Sequence, residues 1–171
     1  MPREKRADTD LFERWMAEAR SCHRTNLLAD LVRRKDTCFD LLTRLYLEKP
    51  EGFSLFRKRL SAYLRRHRGA EYLFASAGYA AYLGSSFPAA CRWFLKAVQE
   101  NPENLDNWMD LAFALRHAGA EEMSNGILFH FDYLIHYVRL LGFPSGGLKG
   151  LRSFVRTISR AAEAGAGKPL R

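Results

Sequence analysis

The chain has 171 residues, 47% of them hydrophobic and 27% charged, with a formal net charge of +8. This is an ordinary globular balance with enough apolar material for a core in one domain. No stretch approaches 18 consecutive apolar residues and no apolar run follows the charged start "MPREKRADTD", so neither a membrane span nor a secretory leader is expected.

Helical periodicity without Val/Ile/Thr-rich alternation predicts an all-α chain. Helices are predicted at 9–20, 24–34, 36–48, 52–67, 70–83, 87–100, 104–118, 120–142 and 147–162. Pro50-Glu51-Gly52 ends the third and Gly69 separates the fourth from the fifth. Gly84-Ser85-Ser86 ends the fifth, and Pro88 sits in the first turn of the sixth. Asn101-Pro102-Glu103-Asn104 is a turn, with Asn104 or Asp106 as the cap. Gly119 closes the seventh helix, and "GFPSGG" at 142–147 reads as a hinge. The last ten residues, "AEAGAGKPLR", read as a flexible tail.

Charge divides the chain. Residues 1–69 carry 17 Lys/Arg against 10 Asp/Glu, residues 70–145 carry 4 against 8, and residues 146–171 carry 6 against 1. Basic arms therefore flank a mildly acidic middle, which suits acidic proteins or polyanions as partners. Cys22, Cys38 and Cys91 form no metal-ligand spacing and read as free thiols in a reducing cytoplasm.

Phe74 and Trp108 lie 34 residues apart, each opening a helix that keeps a small residue four places on and stops at glycine. Residues 71–104 carry Phe74, Ala77-Gly78 and Ala81, then Ala90-x3-Phe94, Ala97 and Pro102. This closely resembles the tetratricopeptide repeat, whose pattern is W-x2-L-G-x2-Y, A-x3-F, then P at a 34-residue period. The tyrosine position departs, with Tyr82 next to it. Residues 105–138 resemble a second, weaker unit through Trp108, Leu111, Ala112, Leu115, Gly119, Ser124 and Leu128. A degraded trace lies upstream in Cys38, Leu42, Leu45 and Pro50, with 53–68 as an unpaired or re-paired helix. The expected organisation is a basic helical segment over 1–69, two repeat-like units over 70–144, and a basic amphipathic capping helix with a tail over 145–171. In that capping helix Leu148, Leu151, Phe154, Val155 and Ile158 share one face, and Lys149, Arg152, Arg156 and Arg160 another.

The resemblance implies a helical-hairpin stack that binds a partner in a concave groove lined by first helices. Within that frame the groove residues are Tyr72, Tyr79, Tyr82, Met109, Phe113 and Arg116, with Ala75, Leu83, Asp106 and His117 beside them. Members that clamp a C-terminal carboxylate use Lys and Asn where this chain has Ala75, Tyr79, Met109 and Phe113, so that specificity is not expected here. An apolar groove suits an amphipathic helix or an apolar peptide, unless another part of the chain, the last helix above all, covers it.

"RKRLSAYLRRHRG" at 57–69 is the second candidate surface. Arg57, Lys58, Arg65, Arg66 and Arg68 could hold an acidic partner or phosphates, which makes a nucleic-acid-associated protein the alternative reading. No phosphate loop, zinc spacing or hydrolase motif is present. His130 and His136 do not share a helix face, Asp132 and His136 could pair, and Cys22 and His23 point apart in a helix. No catalytic residue, metal site or cofactor is therefore expected. The leading expectation is a cytoplasmic, non-enzymatic adaptor, accessory subunit or chaperone that binds a protein or peptide.

Overall fold

A computed structural model of the chain describes residues 12–17, 28–48, 50–67 and 71–165. The described residues are all-helical, in a succession of eight helices packed mainly on their neighbours. These are α1 over 12–17, α2 (Leu28–Glu48), α3 (Pro50–Arg66), α4 (Glu71–Leu83), α5 (Phe87–Glu100), α6 (Leu105–His117), α7 (Glu121–Leu141) and α8 (Gly147–Gly165). None of the helices is long and apolar enough to cross a membrane.

Three boundaries differ from the sequence expectation. Residues 28–48 form one helix where two were expected, because the charged stretch Arg33–Asp36 contains no breaker and all its residues tolerate helix. Helix α3 begins at Pro50, which was read as a stop. Proline lacks only an N–H that the first turn leaves unpaired anyway, so it starts a helix as readily as it ends one. Helix α8 runs on to Gly165 through the alanine-rich "AAEA", with Ala162 buried. The rest of the expected tail, the Cys22-His23 pair and Arg68 lie outside the described residues.

Among the described helices, α4 and α5 form the most closely packed pair. Gly78 explains it: a Cβ built there would stand 2.6 Å from the ring of Phe94, so the two backbones approach only because the side chain is missing. Asn104 caps α6 by accepting from the Asp106 N–H at 3.1 Å. Gly119, at φ +78°, supplies the left-handed turn that ends α6, with the Ala120 N–H returning to the Leu115 carbonyl.

Two apolar clusters meet across this hairpin. One gathers Trp15, Leu42, Phe56, Leu60, Phe74 and Ala77 from α1–α4. The other gathers Phe94, Trp108, Leu111, Leu134, Leu151 and Val155 from α5–α8. Phe39, Tyr79 and Trp93 pack against both. Trp108 is wholly buried and its indole N–H donates to the Pro102 carbonyl at 2.7 Å, which ties the α5–α6 turn to the core. Helix α8 lies along α7 and reaches α5, burying Leu151, Val155 and Ile158 and leaving Lys149, Arg152, Arg156 and Arg160 exposed. Arg156 holds Glu122 of α7 through two hydrogen bonds of 2.8 and 2.7 Å.

Candidate partner-binding site

The site expected from the sequence lies on the outer faces of α4 and α6, so the relation between those helices governs it. Their N-terminal ends are joined by a polar clasp. The Glu71 carboxylate, in the first turn of α4, accepts from three asparagine side chains: Asn101 at 2.9 Å, Asn107 at 2.6 Å, and Asn104. Asn107 is fully buried and Asn104 nearly so. A partly buried carboxylate with this many donors is satisfied by the protein itself and holds the α5–α6 turn and the start of α6 against α4. The capping role of Asn104 was legible in the sequence. The clasp was not, although Asn101, Asn104 and Asn107 at intervals of three already place three amides on one side of the turn.

The six residues expected in the groove fall in four environments. Tyr72 is buried in the α1–α4 cluster and offers almost no surface. Tyr79 is half-buried beneath α2. Its ring lies flat on Phe39, with centroids 4.1 Å apart and planes 7° apart. Its hydroxyl is 2.9 Å from Thr43 Oγ1. Thr43 donates its own proton to the Phe39 carbonyl, so Tyr79 is the donor to Thr43. Tyr82 packs edge-on against Phe87 and His117, which stack on each other with centroids 5.1 Å apart. Met109, Phe113 and Arg116 are exposed on α6, Met109 by 38% and Phe113 by 45%.

The expected groove face is therefore covered at Tyr72 and Tyr79 of α4 and open at Met109 and Phe113 of α6. The sequence offered cover by the chain itself as the alternative to partner binding, and named the last helix as that cover. The cover over Tyr79 is α2, and α8 packs on α7 and α5 instead. Phe39 and Thr43 were not picked out as partners of Tyr79, because a contact across 40 and 36 residues leaves no periodic trace in the chain.

The basic candidates separate as well. Arg57, Lys58 and Arg65 line one groove of about 300 Å³ between α3 and the α4–α5 hairpin. Arg66 is exposed and is not part of that lining. The described residues contain no group of three or more His, Cys, Asp or Glu placed to hold a metal ion. Asp132 and His136 are both exposed, and His130 marks a kink in α7. Cys38 and Cys91 are buried free thiols, and burial pushes the Cys91 thiol up to about 11, far from a reactive thiolate. Compared with protein-family models, curated proteins and solved structures, the chain gives no match.

Proposed function

We propose that this chain is a non-enzymatic interaction module, a tetratricopeptide-like stack of helical hairpins that serves as an adaptor, accessory subunit or chaperone. It works in the reducing cytoplasm, where the buried free thiols of Cys38 and Cys91 persist. The observation that carries this reading is the face of α6. One side of that helix, Trp108, Leu111, Ala112 and Leu115, is buried in the core. The other exposes Met109 and Phe113 one turn apart, bordered by Arg116. A solvated helix face is ordinarily polar, and paired large apolar residues there mark a contact surface. Met is adaptable, Phe is a rigid anchor and Arg supplies a carboxylate contact, a combination suited to an apolar peptide or helix.

The test is affinity capture from native lysate with the full chain and with a Met109→Ala/Phe113→Ala variant, each with nuclease and at two salt concentrations. The reading requires a stoichiometric protein that survives nuclease and salt and is lost with the variant. Capture of nuclease-sensitive, salt-labile material alone would replace it with the nucleic-acid alternative.

A further inference from the structure

A second surface lies away from α6, in the groove between α3 and the α4–α5 hairpin. Its floor is apolar, built from Leu60 of α3 with Ala77, Ala80 and Ala81 of α4, and Trp93 of α5 forms a wall. Its rim is cationic, with Arg57, Lys58 and Arg65 and no acidic residue in the lining. No carboxylate among the described residues pairs with Lys58 or Arg65. Arg57 reaches only the Gly84 carbonyl, at 3.5 Å. Outside the lining, Lys96 stands over the Trp93 ring at 4.8 Å, a further cation near this wall.

We infer that this groove binds an acidic amphipathic helix from a partner protein. Charge complementarity selects the sign, since unpaired cations of one sign gain from carboxylates and reject basic segments. The apolar floor demands more than charge, because a purely polar polyanion would leave Trp93 and the alanines facing its backbone. The partner is helical because the groove is walled by helices alone. An extended segment would find no strand edge with which to pair its backbone groups, whereas a helix satisfies its own.

The rim also sets a register. Arg57 and Lys58 stand seven to eight residues before Arg65 on α3, about 11 Å along the helix axis. A partner helix running beside α3 meets the Arg57/Lys58 pair and Arg65 with carboxylates two turns apart, at i and i+7, and seats apolar residues on the floor from i+3 and i+4. The chain's own longer stretches outside the described residues do not carry this charge pattern: residues 1–11 hold Glu4, Asp8 and Asp10, no two of them seven apart, among Arg3, Lys5 and Arg6. Residues 18–27 hold two Arg and one Glu, and 166–171 hold one Lys, one Arg and no acid.

The probe is a labelled synthetic helix with Glu at i and i+7 and Leu and Ala between them, titrated against the full chain by fluorescence anisotropy. Three competitors share its label: the same composition with the glutamates moved to the opposite face, the same helix with Lys for Glu, and a single-stranded oligonucleotide. The patterned helix binds at least about tenfold more tightly than either peptide control, and Arg57→Glu with Arg65→Glu lowers that affinity by about tenfold or more. Lys58→Glu, on an exposed side chain, checks the result if the double variant loses helicity. Met109→Ala/Phe113→Ala leaves this binding unchanged, so the groove and the α6 face succeed or fail separately. Equal binding of the face-shifted peptide, tighter and steeply salt-dependent binding of the oligonucleotide, or self-association abolished by Arg65→Glu would each overturn the inference.

Discussion

Tyr79 and Phe113 stand 34 residues apart in the chain, as do Ala75 and Met109. By spacing, each pair should hold equivalent places, yet their surroundings are opposite. Ala75 is fully buried and Tyr79 is stacked beneath Phe39 with its hydroxyl on Thr43. Met109 and Phe113 face outward. The difference comes from what lies across them. Helix α2 covers the face of α4, whereas among the described residues no helix packs on the outer side of α6 as α2 packs on α4. The residue types accord with this. The covered position is a small alanine beside a tyrosine that can satisfy its hydroxyl locally, and the open one carries two side chains with no polar group to satisfy.

The comparison can be broken first at its foundation. Trp108→Ala removes a wholly buried indole and its bond to the Pro102 carbonyl, and should cost about 3–5 kcal/mol in chemical denaturation. If the α6 face survives that loss, it does not depend on the packing behind it. Gly78→Leu comes next. With only 2.6 Å from a new Cβ to Phe94, overpacking should cost about 1–3 kcal/mol. The corresponding place on α6 is Ala112, which already carries a Cβ in the core.

Phe39→Ala tests the cover itself. Losing the stacked ring should destabilise by about 1–2 kcal/mol and expose Tyr79, so that α4 behaves like α6 and binding of a fluorescent apolar dye rises. Unchanged dye binding would mean that Phe39 is not what closes the groove. Met109→Ala/Phe113→Ala should move stability by only about 0.5 kcal/mol or less, since both residues are exposed, while removing partner capture. A large loss of stability would place those residues in the core and end their assignment as a docking face.

The smallest effect belongs to the surface ion pairs. Hydrogen bonds from Arg139 and Arg156 hold the carboxyls of Glu103 and Glu122 below their ordinary value. Their contribution is therefore present above the usual carboxylate range and is lost as pH falls through it. Both pairs are solvent-exposed, so Glu122→Gln should leave the melting temperature unchanged within error and flatten only slightly its fall in acid. A clear drop at neutral pH would show that the α7–α8 contact relies on this pair more than on Val155 and Ile158.

Much of the architecture was legible in order. Helices expected at 70–83, 87–100 and 104–118 are found at Glu71–Leu83, Phe87–Glu100 and Leu105–His117, because glycine, proline and asparagine act within a few residues of where they stand. The failures are of the same local kind: Pro50 was read as a stop and proved a start, and a charged stretch inside α2 was read as a break. The candidate site was less legible. The sequence put tyrosines and phenylalanines on helix faces, but a face is open or closed according to which distant helix lies on it. Phe39 meets Tyr79 across 40 residues of chain, and Arg57, Lys58 and Arg65 share a groove with Trp93 only after α3 folds beside α5.

The sequence by itself determined that the chain is helical, where most of its helices end, and which residues of α6 and α8 turn inward, since periodicity and turn chemistry are properties of neighbouring residues. Tertiary structure alone decided that α2 closes one half of the aromatic face, that three asparagines gather on Glu71, and that three of the five basic candidates line one groove. Those outcomes depend on contacts between segments far apart in the chain, whose geometry is set by packing and by the need to satisfy buried polar groups, and neither requirement is written in any single stretch.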